Sequence, residues 1–203
     1  VHSRVNVPTP EWTWSSRPDG GGIATLGDTS IPMNLEGSYN LPNVVAALAI
    51  GAHFGVPEKD ACQALSDYVP SNHRSQSVKT ARNWVILDAY NANPSSMTHA
   101  LNDFASRGHD APLVILGDMA ELGEASEAAH QELVEMCRTQ NLELWTVGQW
   151  FGHLFGQGGH KGWMHFSGLE ALVDHLQSSP SERRQILVKG SRSAALERLL
   201  PYL

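Results

Sequence analysis

Three polar clusters hold most of the chemistry that this sequence offers. The first is Asp88-Ala89-Tyr90-Asn91-Ala92-Asn93-Pro94, directly after an apolar run. An acid, a phenol and two carboxamides within six residues supply donors and acceptors for a ligand's hydroxyl, amide or carboxylate groups. Asn93-Pro94 is also a good N-cap and first-turn pair for a following helix. That turn needs neither Asp88, Tyr90 nor Asn91, so a ligand site and a well-made turn both stay open. The second cluster is Gly117-Asp118 with Glu121, Gly123 and Glu124, for which a polar loop before a helix is an adequate account. The third is Lys189-Gly190-Ser191-Arg192. Here Ser191 can cap the last helix, and backbone N–H groups at a helix start beside a Lys and an Arg suit a phosphate or carboxylate. Each cluster is weak alone. Their weight comes from position, because each comes directly after a strand-like run.

Those runs are WVILD at 84–88, PLVIL at 112–116, ELWTV at 143–147, WMHF at 163–166 and QILVK at 185–189. Helix-like segments separate them. Met97, Ala100, Leu101, Phe104 and Ala105 fall at i, i+3, i+4, i+7 and i+8, and Ala129, Leu133, Met136 and Cys137 recur similarly. Strands that are apolar throughout, alternating with helices, predict an α/β domain with a doubly wound, mostly parallel sheet covered on both faces. Such sheets bind ligands beyond the carboxyl ends of their strands, which is where the three clusters fall. Upstream, residues 1–36 are rich in Pro, Gly, Trp and Thr, with short β-like pieces and a PDGGG turn. A helix is predicted from Pro42 to Gly55, which Pro57 stops, and a second near 58–68. The polar stretch after the second helix predicts a division into 1–71, a linker at 72–82, and 83–203.

Composition excludes several classes. The 203 residues contain 14 Lys+Arg and 21 Asp+Glu, a formal charge of −7 with no basic block, so no nucleic-acid partner is expected. No apolar run approaches the roughly 20 residues of a membrane span, and no signal-peptide core is present, so no membrane is expected and the cytoplasm is the expected location. Ten scattered histidines and two distant cysteines make neither a metal pattern nor a disulfide framework, and both Cys62 and Cys137 are expected in cores. No G-x-G-x-x-G comes after the first of these strands, and no G-x-S-x-G or G-x-x-x-x-G-K-[ST] occurs, against a nicotinamide dehydrogenase, an α/β-hydrolase and a self-sufficient phosphate loop. The chain starts at Val1 without a Met and is expected to be a piece of something longer.

LDAYNANPSSM, LGDMAELGE and LVKGSR, in this order and spacing, resemble the C-terminal domain of the Mur ligase family. GSYNLPNVVAALAI at 37–50 resembles the segment that closes the family's central ATPase domain, so 1–71 would be the tail of that domain. The YNANP stretch resembles the branch that adds D-Ala-D-Ala to UDP-MurNAc-tripeptide; other branches typically carry an Arg there. The resemblance implies an ATP- and Mg²⁺-dependent ligase of peptidoglycan synthesis working through an acyl phosphate, expected as a monomer. Alternatives are another amino-acid-adding ligase of the family, or a non-catalytic binding module.

By the same resemblance, Asn40 and Asn43 would lie near adenine, Arg74 near the ATP phosphates and Asp88 on the ribose. Tyr90, Asn91, Asn93, Lys189, Ser191 and Arg192 would surround the dipeptide or its carboxylate. No residue is assigned as catalytic or as a metal ligand, since the phosphate loop and Mg²⁺ ligands are not in these residues. Two motifs depart from the family pattern: Gly37-Ser38-Tyr39-Asn40 stands for G-x-H-N, and Asn72-His73-Arg74 for Pro-Gly-Arg. Replacing Asp88 by Ala is expected to alter nucleotide use with little loss of folding stability.

Overall fold

The structure is a computed structural model that describes residues 11–17, 20–70, 76–155 and 162–203. Among them, β1 (Thr13–Ser16), β2 (Gly22–Leu26) and β3 (Thr29–Met33) form an antiparallel sheet in that order. Helices α1 (Leu41–His53) and α2 (Glu58–Asp67) pack near it around Ala24, Ile31, Met33 and Val44. The stop of α1 is local chemistry. Gly55 takes φ 76°, its N–H donates to Ala52 O at 3.1 Å, and Val56 N–H reaches back to Gly51 O at 2.9 Å. That is the left-handed glycine closure of a helix end, which meets carbonyls the helix leaves open.

The second sheet has the order β4-β5-β9-β6-β7-β8 among the described residues. Its strands are β4 (Gln76–Lys79), β5 (Trp84–Asp88), β6 (Pro112–Gly117), β7 (Glu143–Val147), β8 (Met164–Phe166) and β9 (Gln185–Lys189). All pair in parallel except β4, which runs antiparallel to β5. Gln76–Lys79 thus corrects part of the expected linker. The polar QSVK serves as an edge strand because one neighbour satisfies half its backbone groups and its side chains need only partial burial.

Alternate residues of each central strand enter different cores. Ile86, Val114, Leu116, Leu144 and Leu187 face α3 (Pro94–Ser106), α4 (Ser126–Thr139) and α5 (Gln149–Phe155). Val85, Leu87, Leu113, Ile115 and Val188 face α6 (Leu169–Ser178) and the C-terminal 3₁₀ segment Leu196–Tyr202. Burial on both faces is the reason these strands read as continuous apolar runs. Cys137 lies fully buried in the first core, where desolvation pushes its thiol up to about 12. Cys62 is only half-buried, at the margin of the small core, and neither cysteine is in a disulfide. Among the described residues, no helix is long and apolar enough to cross a membrane.

A buried ionic cluster joins the two sheets' surroundings. Glu36 is 1% exposed and accepts from Gly21 N–H at 2.7 Å and Arg107 Nη1 at 2.6 Å. Arg107 also donates to Asp103 at 2.5 Å, and Ser38 N–H reaches Asp103 at 3.3 Å. Burial alone would lower the Arg107 guanidinium, but Glu36 and Asp103 hold it above its ordinary value.

Gly117 ends β6 and Gly190 directly follows β9, and together they let the two backbones approach closely. A Cβ on Gly117 would stand 2.8 Å from Ala194 Cβ and 3.1 Å from Leu196 Cδ1. Gly117→Ala should therefore cost about 1–3 kcal/mol through overpacking. Urea unfolding monitored by circular dichroism measures this, and an unchanged midpoint would show that the contact relaxes freely.

Candidate functional site

The connections reverse beside β9. Strands β5, β6 and β7 each lead into a helix on one face, while β9 leads to the 3₁₀ segments on the other. The carboxyl ends of β5, β9 and β6 therefore form the topological switch point, where open α/β sheets take ligands.

Parallel register places Asp88 directly beside Lys189. Lys189 Nζ donates to Asp88 Oδ2 at 2.5 Å and to Asn91 O at 3.4 Å, and the two residues are 2% and 7% exposed. Lys189 thus meets its counter-charge inside the protein. Tyr90 is half-buried, and the exposed Arg192 holds its guanidinium carbon 5.2 Å from the ring centroid, within cation–π range. Asn91 folds its side-chain oxygen back onto Ala92 N–H at 2.9 Å. Asn93 caps α3, accepting from Ser96 N–H at 2.9 Å while Ser96 Oγ accepts from Asn93 N–H at 3.2 Å, with Pro94 opening the helix. The turn chemistry of Asn93 is therefore real, whatever else the residue does.

Ser191 corrects one expectation. It is buried, and its hydroxyl pairs with Ser193 Oγ at 2.9 Å. The chain then enters the three-residue 3₁₀ turn Arg192–Ala194, with no side-chain cap bond from Ser191. Ala195 in the left-handed region and Pro201 within the next segment keep the chain from forming an α-helix. No helix dipole adds to this turn, so its positive character rests on Arg192.

Asp118 is more central than its place in a polar loop suggested. Its carboxylate accepts from Trp150 N–H at 3.0 Å and Phe151 N–H at 3.2 Å, capping α5. Its own N–H donates to Val147 O, and its carbonyl accepts from Ser191 N–H at 3.2 Å. One residue thus ties together the ends of β6, β7 and β9. Nearby His130 is fully buried; Nε2 accepts from Met119 N–H at 3.0 Å and Nδ1 lies 2.6 Å from Ser126 O. This network sets a neutral ring with its proton on Nδ1, so the 3.7 Å approach to Asp118 is not an ion pair. The Gly-Asp at a strand end was a visible signal; its partners lie 32 and 33 residues away and were not.

Asn40 and Asn43 lie elsewhere. Asn40 Nδ2 donates to Glu36 O at 2.7 Å and Asn43 Nδ2 to Asn40 Oδ1 at 3.3 Å, at the start of α1. Their turn docks through Ser38 on Asp103, nine residues along α3 from Pro94, which is roughly 14 Å of helix. Asp88 precedes the other end. Tyr39, beside Asn40, packs on the first core. Arg74 lies outside the described residues. Among the described residues, no group of three or more His, Cys, Asp or Glu is placed to hold a metal ion.

The family described as Mur ligase, glutamate ligase domain, matches residues 73–192. The UDP-N-acetylmuramoyl-tripeptide–D-alanyl-D-alanine ligase of Bacillus subtilis is 31% identical over 175 residues, covering 82% of this chain and 38% of that protein. The Escherichia coli protein of the same description is 33% identical over 181 residues, covering 87% of this chain and 39% of that one. A crystal structure of MurF from Acinetobacter baumannii superimposes with a TM-score of 0.77 at 26% identity, covering 93% of this chain and 43% of that one. The chain thus spans about two fifths of the length of these relatives.

The buried pair overturns the expectation that Asp88 can be removed cheaply. Asp88→Ala leaves an ammonium buried without its counter-charge and should cost about 3–5 kcal/mol. Adding Lys189→Met should recover most of that loss. A double-mutant cycle by urea unfolding measures the coupling, and additive losses would mean that the two side chains do not act as a pair.

Proposed function

Because this chain belongs to the Mur ligase family, we propose that it forms the amine-substrate part of an ATP-dependent ligase joining D-Ala-D-Ala to UDP-MurNAc-tripeptide. The carrying observation is the convergence of Asp88, Tyr90, Lys189 and Arg192 at the switch point of the sheet. The names of the relatives support the reaction class and its substrates. Peptidoglycan synthesis from a nucleotide-linked precursor goes with a cytoplasmic enzyme.

The amine substrate is a dipeptide carrying a carboxylate at its far end. Arg192 is the cation suited to that carboxylate. It is exposed, stacked on Tyr90, and its planar fork can meet both carboxylate oxygens. Lys189 is unsuited to the same task because Asp88 already balances it below the surface. Its part is to fix the ends of β5 and β9 so that Tyr90 and Arg192 face each other. Asp118 holds the turn that carries Arg192 through the Ser191 N–H. Asn91 and Asn93 would line the same edge, Asn93 with its oxygen committed to the helix cap.

The nucleotide is a different matter. Asn40 and Asn43 dock near one end of α3, whereas Asp88 precedes the other. Nucleotide contacts in the whole protein would need another arrangement of the two parts or residues beyond this chain, and Mg²⁺ would be held there too.

Two measurements test the reading. The 203-residue chain, given ATP, UDP-MurNAc-tripeptide and D-Ala-D-Ala, should release no phosphate above blank, because its sequence has no phosphate loop. In a complete enzyme carrying this part, Arg192→Met should raise the KM for D-Ala-D-Ala about tenfold or more, the worth of a charge-assisted hydrogen bond. The KM for ATP should stay unchanged. An unaltered dipeptide KM would remove Arg192 from the site, and preferred turnover of D-glutamate would move the enzyme to another branch of the family.

A further inference from the structure

Asp118 and Met119 share one peptide unit, and its two polar groups bind different elements. The Asp118 carbonyl accepts from Ser191 N–H at 3.2 Å. The Met119 N–H donates to His130 Nε2 at 3.0 Å. This peptide is trans and planar, so its C=O and N–H cannot turn independently. A rotation that takes the carbonyl off Ser191 also withdraws the N–H from His130. The imidazole therefore fixes the direction of the carbonyl that holds the turn after β9, one residue before Arg192.

The ring is itself braced. His130 and Met119 are 0% and 1% exposed, so their bond lies out of solvent. His130 Nδ1 lies 2.6 Å from Ser126 O, one turn back on α4, which places the ring proton there and leaves Nε2 as an acceptor. The Phe151 ring meets the imidazole edge-on, 4.7 Å between centroids, and the Trp150 ring stacks at 6.2 Å. Both residues lie at the start of α5, and their N–H groups bind the Asp118 carboxylate. A buried histidine with both nitrogens satisfied is ordinarily a core residue. His130 differs in the peptide that it grips. Hydrogen bonds in line through one peptide polarise one another, so loss of the acceptor at one end weakens the Ser191 bond at the other.

We propose that His130 is a positioning residue for the amine-substrate site. By accepting from Met119 N–H it holds the Asp118 carbonyl on Ser191 and so sets where Arg192 is presented. It touches no substrate. The inference rests on the reading of Arg192 as the cation that meets the dipeptide carboxylate.

Two conservative variants separate the two hydrogen bonds of the ring. In His130→Gln the amide oxygen takes the place of Nε2 and accepts from Met119, while the bond to Ser126 is lost. In His130→Asn the amide nitrogen takes the place of Nδ1 and donates to Ser126, while Met119 N–H is left bare. In a complete enzyme carrying this part, His130→Asn should raise the KM for D-Ala-D-Ala about tenfold, the order of one buried hydrogen bond, and His130→Gln should keep it within about twofold. The KM for ATP should stay unchanged in both. In ¹H–¹⁵N spectra of the 203-residue chain, His130→Asn should shift the amides of Met119, Ser191 and Arg192 together, whereas His130→Gln should leave those of Ser191 and Arg192 in place. Equal effects of the two variants on the dipeptide KM, or Ser191 and Arg192 amides that do not move in His130→Asn, would overturn the proposal and return His130 to the core. An enzyme that turns over no D-Ala-D-Ala refutes the ligase reading instead, and the amide shifts then decide whether His130 holds the Arg192 turn. If neither variant folds, the wild-type chain decides. Its imidazole ¹⁵N spectrum should show Nε2 without a proton and coupled through the hydrogen bond to the Met119 amide, and a protonated Nε2 at pH 7 would overturn the proposal.

Discussion

The ion pair between Lys189 and Asp88 is the constraint on which the candidate site depends. Both residues end strands, and the parallel register of β5 and β9 sets them side by side. Sinking two charges below the surface costs desolvation that their mutual attraction only partly offsets, so such a pair is poor evidence of stability for its own sake. Its effect here is positional. A lysine directed at an acid on the next strand fixes where the chain leaves β5 and where it leaves β9. Tyr90 and Arg192 begin from those two exits.

Around that pair the backbone completes the frame. Gly117 and Gly190 bring β6 and β9 closer than side chains would permit, and Asp118 then spans the gap with its carbonyl, its N–H and its carboxylate. The turn after β9 is held by this lattice rather than by a helix, so Arg192 is presented on a short, braced loop. The candidate site is thus assembled from strand ends that are distant in sequence and rigidly joined in space.

Helix α3 separates this site from the first part of the chain. Its N-terminus, capped by Asn93, borders the candidate site, while its C-terminal turn meets Glu36 and Ser38 through Arg107 and Asp103. The resemblance to Mur ligases implies that Asn40, Asn43 and Asp88 serve one nucleotide, and in this arrangement the length of α3 lies between them. The Glu36–Arg107–Asp103 cluster stabilises this arrangement because Arg107 joins a carboxylate from each part.

Much of this protein was legible in one dimension. Five strand runs, the helices between them, the stop at Gly55 and the cap at Asn93 are local features, decided by periodicity and by backbone groups a few residues apart. The three polar clusters could also be placed at one sheet edge, because parallel α/β connection leaves few alternatives. Their roles could not. That Lys189 spends its charge on Asp88, that Asp118 caps a helix 32 residues on, that QSVK pairs as an edge strand and that Arg192 leans on Tyr90 are matters of which strand lies beside which. The order β5-β9-β6 joins residues about a hundred positions apart. The sequence by itself therefore determined the elements and the edge at which chemistry gathers. Only the tertiary structure decided which charges are consumed in holding that edge and which remain at its surface, because burial and pairing are properties of neighbours in space.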